Sequence, residues 1–132
     1  MKRFSLFVLI LALIFIGSAC KKNEEMEFNI IGPWNLAMTF VENQKTETEN
    51  YTAEFTPDGN WVIDVDEFAS IFGTYSVSGD VVQMKVTHTN FENGVTGTFN
   101  GQFENENKIS GDFEIFDDGP PGTIGTWIAT RN

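Results

Sequence analysis

The chain contains few residues that could carry out catalysis. His88 is the only histidine, and no serine or cysteine lies beside it in a nucleophile motif. By the period-two alternation, His88 continues the face of Met84 and Val86 near a strand end. A catalytic triad needs partners at defined distances, whereas this position predicts a residue at the rim of a sheet. There is also no phosphate loop, zinc-ligand set or nucleotide fingerprint, so we expect a non-enzymatic protein without catalytic residues or cofactors.

Two acidic clusters could offer oxygen ligands to a calcium ion. They are residues 64–67 (Asp-Val-Asp-Glu) and residues 117–119 (Asp-Asp-Gly). Neither cluster has the ligand spacing of a calcium-binding loop. We therefore interpret both clusters as solvated turns and expect no metal site.

The N-terminal segment has the three parts of a signal peptide. Residues 1–3 (Met-Lys-Arg) are basic, residues 4–16 are apolar apart from one serine, and residues 17–19 (Gly-Ser-Ala) are small. This order is typical of a cleaved secretory signal over residues 1–19. The apolar run is shorter than the roughly 20 residues that a membrane-spanning helix needs.

Cys20 follows the predicted cleavage site and is the only cysteine, so no disulfide can form within the chain. One interpretation is an unmodified thiol near a flexible terminus. However, residues 16–20 (Ile-Gly-Ser-Ala-Cys) resemble a bacterial lipobox, in which the cysteine becomes the lipidated N-terminus. The resemblance implies an anchor of several acyl chains on Cys20, and two or more chains hold a protein stably on a membrane.

Residues 20–29 are expected to form the lipidated terminus and a linker. Residues 21–27 (Lys-Lys-Asn-Glu-Glu-Met-Glu) are too polar to be buried, as in a solvated linker. They also resemble the short acidic export signals that follow the cysteine in surface lipoproteins of some Gram-negative bacteria. The expected location is the outer membrane of a bacterial envelope, and both its periplasmic face and its cell-surface face are alternatives for the domain.

The mature chain is one acidic domain. Removing 19 of 132 residues leaves 113, enough for a single hydrophobic core, and we assign the domain to residues 30–132. Because Lys2 and Arg3 leave with the signal peptide, 6 basic residues then face 19 acidic ones, and the net charge is −13. This charge argues against nucleic acid and anionic lipid head groups as partners, and it would attract a cationic protein.

From residue 32 onward, apolar side chains recur at every second position, the period of a half-buried β-strand. About eight such strands follow at a spacing of roughly 8–12 residues, with no long helical pattern, which indicates a sandwich or a barrel. Nearly all connections are short enough for hairpins, which favours an up-and-down meander over a Greek key. We therefore predict an all-β, eight-stranded antiparallel up-and-down barrel, filled by side chains or holding one small ligand.

The connections and the last strand carry more specific predictions. We expect the longest loop at residues 43–50, a loop or single helical turn at residues 67–72, and tight turns at residues 56–59, 78–80 and 93–94. The last strand has two alternative facings: either Ile124 and Ile128 or Trp127 and Ala129 point inward. A slip of one residue exchanges the two sets.

Several short motifs resemble those of bacterial lipocalin-like lipoproteins, which are calycin-type barrels. Residues 32–34 (Gly-Pro-Trp) are similar to the Gly-x-Trp that opens the first lipocalin strand. Further similar segments span the chain to about residue 131: residues 55–59, 73–75, 109–111 and 125–127. The resemblance implies that Trp34 packs under Arg131 as a structural clasp, with a cation–π contact of about 0.5–2 kcal/mol. Avidin-like barrels share the Gly-x-Trp character and are the alternative.

Three functions are consistent with such a domain. In the first, the barrel mouth takes a small hydrophobic or amphiphilic ligand, because ligand pockets are mostly apolar. The candidate lining residues are six large inward-facing side chains: Trp61, Tyr75, Met84, Phe99, Phe103 and Phe113. In the second, the domain is a protein-binding inhibitor whose charge attracts a cationic enzyme. In the third, it is a structural envelope barrel with a filled core.

Overall fold

The computed structural model describes residues 27–89, 94–117 and 121–132. Several parts of the chain named above lie outside these ranges: the predicted signal peptide, Cys20, most of the linker, Asn93 of one predicted turn and residues 118–119 of one acidic cluster. The side chain of His88 is also outside the description. The described residues form eight strands: β1 (Gly32–Glu42), β2 (Lys45–Phe55), β3 (Asn60–Asp64), β4 (Ser70–Ser78), β5 (Val81–Thr89), β6 (Thr96–Asn105), β7 (Lys108–Phe116) and β8 (Thr123–Thr130).

The strands close into a barrel in chain order. Each strand pairs antiparallel with its sequence neighbours, and β8 pairs with β1 to complete the ring. The predicted eight-stranded up-and-down barrel is therefore confirmed. In the described part of the chain, no helix has the length and apolarity needed to cross a bilayer.

The alternation of apolar side chains places one face of every strand inside the barrel. Along β1, for example, Trp34, Leu36 and Met38 are buried, whereas Asn35 is exposed. Seven of the eight strands contribute buried hydrophobic side chains, and β4 adds the partly buried Ile71, Tyr75 and Val77. The largest fully buried side chains are three tryptophans and two phenylalanines: Trp34, Trp61, Trp127, Phe55 and Phe99.

The last strand faces inward with Trp127 and Ala129. Both are only 1% exposed, whereas Ile124 is 69% and Ile128 is 42% exposed. The space for Trp127 comes from β6, because a side chain on Gly101 would overlap the indole ring. Its indole N–H donates to the Asp112 carbonyl at 3.1 Å, so the buried polar group is satisfied.

The prediction of a long loop at residues 43–50 is wrong. The chain reverses at Asn43 and Gln44, which have φ angles of 51° and 66°, and β2 begins at Lys45. Two successive positive φ values are those of the type I′ turns that match strand twist in hairpins. The hairpin extends past the rest of the barrel, so both its faces are in solvent and no hydrophobic alternation marks it. Thr39 and Thr48 share a cross-strand hydrogen bond of 3.0 Å there.

The prediction for residues 67–72 is only partly right. The connection between β3 and β4 is a tight turn in which the Val65 N–H donates to the Ala69 carbonyl at 2.9 Å. β4 starts at Ser70, so the last three residues of the predicted loop belong to a strand. A register shift between Phe72 and Gly73 interrupts the alternation and leaves Phe72 exposed, which explains why the sequence pattern failed here.

The N-terminal segment covers one end of the barrel, which we call the closed end. Phe28, within the range expected as linker, stacks on Phe103 with 4.5 Å between ring centroids. Ile30 is buried, and its carbonyl accepts a hydrogen bond of 2.7 Å from the Trp34 indole. The opposite end is the mouth, where the β1–β2, β3–β4, β5–β6 and β7–β8 connections lie.

Candidate functional site

Arg131 fixes the segment that covers the closed end. Its guanidinium lies over the Trp34 ring, with Cζ 4.2 Å from the ring centroid. The same group donates to the carbonyls of Asn29 at 2.5 Å, Ile31 at 3.3 Å and Glu106 at 2.9 Å. One side chain thus ties the N-terminal segment to the β6–β7 turn. Because this end is covered, a small molecule would have to approach the interior from the mouth.

Aromatic side chains fill the middle of the barrel. The Phe99 ring contacts the rings of Trp61, Phe113 and Trp127 at centroid distances of 5.8, 5.5 and 6.1 Å. The Trp61 indole donates to the Thr74 carbonyl at 2.9 Å, so its buried N–H is satisfied inside the wall. Among the described residues, no buried side-chain nitrogen or oxygen lacks a hydrogen-bond partner. The middle therefore offers packing rather than polar groups for a ligand.

A pocket lies above this aromatic layer at the mouth. Its volume is about 200 Å³, and Phe99 and Phe113 form part of its lining. Seven further lining side chains are apolar: Met38, Phe40, Ile63, Val65, Ile71, Val95 and Ile115. The remaining four lining residues are polar: Glu49, Tyr51, Asp117 and Thr123. An apolar pocket with a few polar groups is the common form of a small-molecule site.

Tyr51 and Glu49 form a polar pair at this pocket. They are adjacent on the same face of β2, and the Tyr51 hydroxyl donates a hydrogen bond to the Glu49 carboxylate. Burial raises the pKa of Tyr51, and its bond to the anionic Glu49 raises it further. The tyrosine therefore stays a neutral donor at physiological pH and orients the carboxylate at the pocket.

The six predicted ligand residues lie at different depths of the barrel. Phe99 and Phe113 line the mouth pocket, and Trp61 packs beneath them against Phe99. Met84 is buried in the wall of β5. The other two lie toward the closed end: the Tyr75 hydroxyl donates to the Thr56 carbonyl at 2.6 Å, and Phe103 stacks on Phe28.

The remaining pocket residues were not among those predicted from sequence. Met38, Phe40, Ile63 and Ile71 come from the mouth halves of β1, β3 and β4. Their inward facing was predictable from alternation, but their common height along the barrel axis depends on strand stagger. A prediction based on strand ends rather than on residue size would have found them.

The acidic cluster at residues 64–67 makes local hydrogen bonds. The Asp64 carboxylate accepts from the Ser70 hydroxyl at 2.9 Å, and Asp66 accepts from the Phe68 N–H at 2.7 Å, as in a turn. Within the described ranges, no group of three or more histidine, cysteine, aspartate or glutamate side chains is arranged to hold a metal ion.

The β1–β2 hairpin extends beyond the barrel as an arm, which we define as residues 41–50. Every residue of the arm is exposed. β8 pairs with β1 only as far as Phe40, and β3 pairs with β2 only from Thr52 onward, so both arm strands have an unpaired outer edge. The arm carries Glu42, Glu47 and Glu49 against one cation, Lys45.

No protein-family model matches the chain, and a search of curated proteins finds no relative.

Proposed function

We propose that this chain is a lipocalin-like envelope lipoprotein, anchored through Cys20, whose barrel mouth binds a small hydrophobic or amphiphilic molecule. The observation that carries the binding proposal is the pocket of about 200 Å³, whose lining is mainly apolar. Because the N-terminal segment covers the closed end, the proposed ligand enters from the mouth, where the pocket lies. The role is binding, not catalysis.

The lipocalin-like assignment is supported by the barrel topology together with the contact between Trp34 and Arg131. The tryptophan opens β1, the arginine follows β8, and their side chains meet at the closed end. The anchor proposal is supported by the signal-like segment and the lipobox-like residues before Cys20.

The pocket volume limits the ligand. A dry apolar cavity of about 150 Å³ holds a benzene molecule, so the mouth pocket has room for one aromatic ring or a short alkyl chain. Drug-sized ligands occupy pockets of about 300–1,000 Å³. The expected ligand is therefore smaller than a fatty acid, unless only part of it enters the barrel.

Titration with ethylbenzene tests the pocket. We expect amide ¹H–¹⁵N shifts in the mouth halves of the strands, and we expect Ile71→Trp to abolish them because the larger side chain fills the pocket. Ile124→Trp is the matched control, since Ile124 lies on the outer wall and does not line the pocket. Equal binding by both variants would contradict the site.

Native mass spectrometry of protein purified from its own host tests the anchor. The proposal expects a chain that begins at Cys20 and carries acyl groups, with any retained ligand visible as an added mass. A mature chain that still contains residues 1–19 would overturn the lipoprotein assignment.

The arm favours a second function, recognition of a cationic protein. It is acidic, exposed and unpaired at both edges, and charge complementarity of this kind steers association. The pair Glu42→Lys and Glu47→Lys should abolish salt-sensitive binding to a cationic enzyme such as lysozyme. The same reversal at Glu54 and Glu114 on the barrel wall is the control. Equal loss in both pairs would show that net charge, not the arm, mediates binding.

A further inference from the structure

We infer that the mouth pocket is specific for a small amphiphilic cation, with an aromatic ring or short alkyl chain inside and an amine at the opening. This inference rests on the proposed binding function of the same pocket. It adds the sign of the ligand's charge, which neither the barrel topology nor the apolar lining decides.

The first argument is the division of the lining by chemistry. Nine side chains around the pocket are apolar, and their floor includes Phe99 and Phe113. The ionisable groups of the lining are two carboxylates, Glu49 and Asp117, and the neutral phenol of Tyr51. Of the described residues that line the pocket, none is basic. Among the described lining groups, a ligand with an apolar body therefore meets only negative charge.

The second argument is the orientation of Glu49. It lies at the base of the arm, all of whose residues are exposed and where a free glutamate would point into solvent. The hydrogen bond from Tyr51, whose ring is half-buried in the same lining, instead holds this carboxylate at the pocket. A positioned carboxylate loses less side-chain freedom on pairing with a cation than a mobile one does.

The third argument is that Asp117 lines the pocket from a separate element. It follows β7, whereas Glu49 belongs to β2, so the two carboxylates reach one opening from different strands. An amine between them would gain from both charges, and the Tyr51 ring adds an aromatic face of the kind that attracts cations. A carboxylate-bearing ligand of the same shape would be repelled by the same groups.

Isothermal titration of the full mature lipoprotein in phosphatidylcholine nanodiscs tests the inference, with empty nanodiscs as the blank. The ligands are 2-phenylethylamine, the neutral 2-phenylethanol, the anionic 3-phenylpropanoate, and ethylamine as a head group alone. We expect the aromatic amine to bind about five- to tenfold more tightly than the alcohol, as for one or two partly exposed ion pairs. The anion should bind more weakly than the alcohol, and ethylamine should not bind.

The matched variants are Glu49→Gln with Asp117→Asn at the pocket, and Glu54→Gln with Asp112→Asn on the outer wall. The inference is supported if the pocket pair loses the preference for the amine and the outer-wall pair keeps it. The single variant Asp117→Asn leaves the hydrogen bond from Tyr51 to Glu49 intact and should remove part of the preference. Equal affinity of the native protein for amine and alcohol would overturn the inference and leave the proposed function standing. Binding of ethylamine as tight as that of 2-phenylethylamine would also overturn it. If none of the aromatic ligands binds, the proposed function itself fails.

Discussion

The indole ring of Trp61 on β3 occupies the space that a side chain on Gly73 of β4 would need. The two residues are paired across the strands, and a Cβ added to Gly73 would overlap both the Trp61 ring and the Lys85 carbonyl. The Trp61 ring can therefore occupy this place in the core only because residue 73 has no side chain. A Cβ added to Gly101 on β6 would likewise overlap the Trp127 ring, although β7 lies between β6 and β8.

Gly73→Ala should destabilise the barrel by about 1–3 kcal/mol or more, because the new methyl group overpacks the core against backbone that cannot move away. Urea denaturation measures the loss as a lower transition midpoint. Gly94→Ala is the control, since a Cβ there meets no described atom within 4 Å. An unchanged midpoint for Gly73→Ala would contradict the packing described for Trp61.

Arg131→Ala should lower the melting temperature, because it removes the cation–π contact with Trp34 and the hydrogen bonds to three carbonyls. The cation–π contact alone is worth about 0.5–2 kcal/mol, and 1 kcal/mol shifts the melting temperature of a domain this size by about 4 °C. The melting temperature of Arg131→Lys should lie between those of the native protein and Arg131→Ala, since an ammonium keeps the charge but not the forked donor geometry. Calorimetry measures the shift, with Lys45→Ala on the arm as control; equal melting of all four proteins would show that the clasp contributes nothing.

Tyr51 and Tyr75, the only two tyrosines, should both ionise above the ordinary pKa of 10.0. Burial is the main cause for each, followed by Glu49 for Tyr51 and Asp58 for Tyr75. Because the folded state holds the phenol protons more tightly than the unfolded state does, the protonated tyrosines stabilise the fold below pH 10. This stabilisation is lost as the pH rises above 10. Alkaline unfolding should therefore begin above pH 10.

The Tyr75→Phe variant leaves Tyr51 as the single tyrosine and isolates its titration. In that background, Glu49→Gln should lower the pKa of Tyr51, because the acceptor loses its negative charge. Phenolate absorbance during an alkaline titration measures the change. Glu54→Gln is the control on the outer face of β2, and an equal shift in the control would show that general charge, not the hydrogen bond, is responsible.

The turn at residues 56–59 should respond to acid. The hydroxyl of Thr56 donates to the Asp58 carboxylate and lowers its pKa, with a smaller contribution from Asn60. Because the folded pKa is depressed, this contribution to stability is present above the unfolded pKa of about 3.8 and is lost as the pH falls through the folded value. Thr56→Val should raise the pKa of Asp58 in a carboxyl ¹³C titration by NMR. No movement would contradict the bond.

The period-two alternation predicted the barrel because the interior is apolar along its whole length. The pattern is clear in strands such as β1 and β6, whereas the register shift interrupts it in β4. The arm was missed for the complementary physical reason: residues 45–50 form a strand with solvent on both faces, and a strand without a buried face has no hydrophobic signature. The alternation left the facing of β8 open because both sets contain large hydrophobic side chains, and the space beside Gly101 accommodates Trp127 inside.

The candidate site was predicted in part for a similar reason. Alternation identifies which side chains face inward, and Phe99 and Phe113 were correctly placed inside. It carries no information on height along the barrel, which is set by the stagger between strands. Phe103 and Tyr75 therefore were grouped with Phe99, although the structure places them toward the opposite end.

The most direct test of the binding account is the position of bound ethylbenzene, measured by nuclear Overhauser effects in the mature protein. The account predicts contacts from the ligand ring to Phe113 and Ile71 at the mouth. Contacts only to Phe103 and Tyr75 near the closed end, or only to Ile124 and Ile128 on the outer wall, would contradict it.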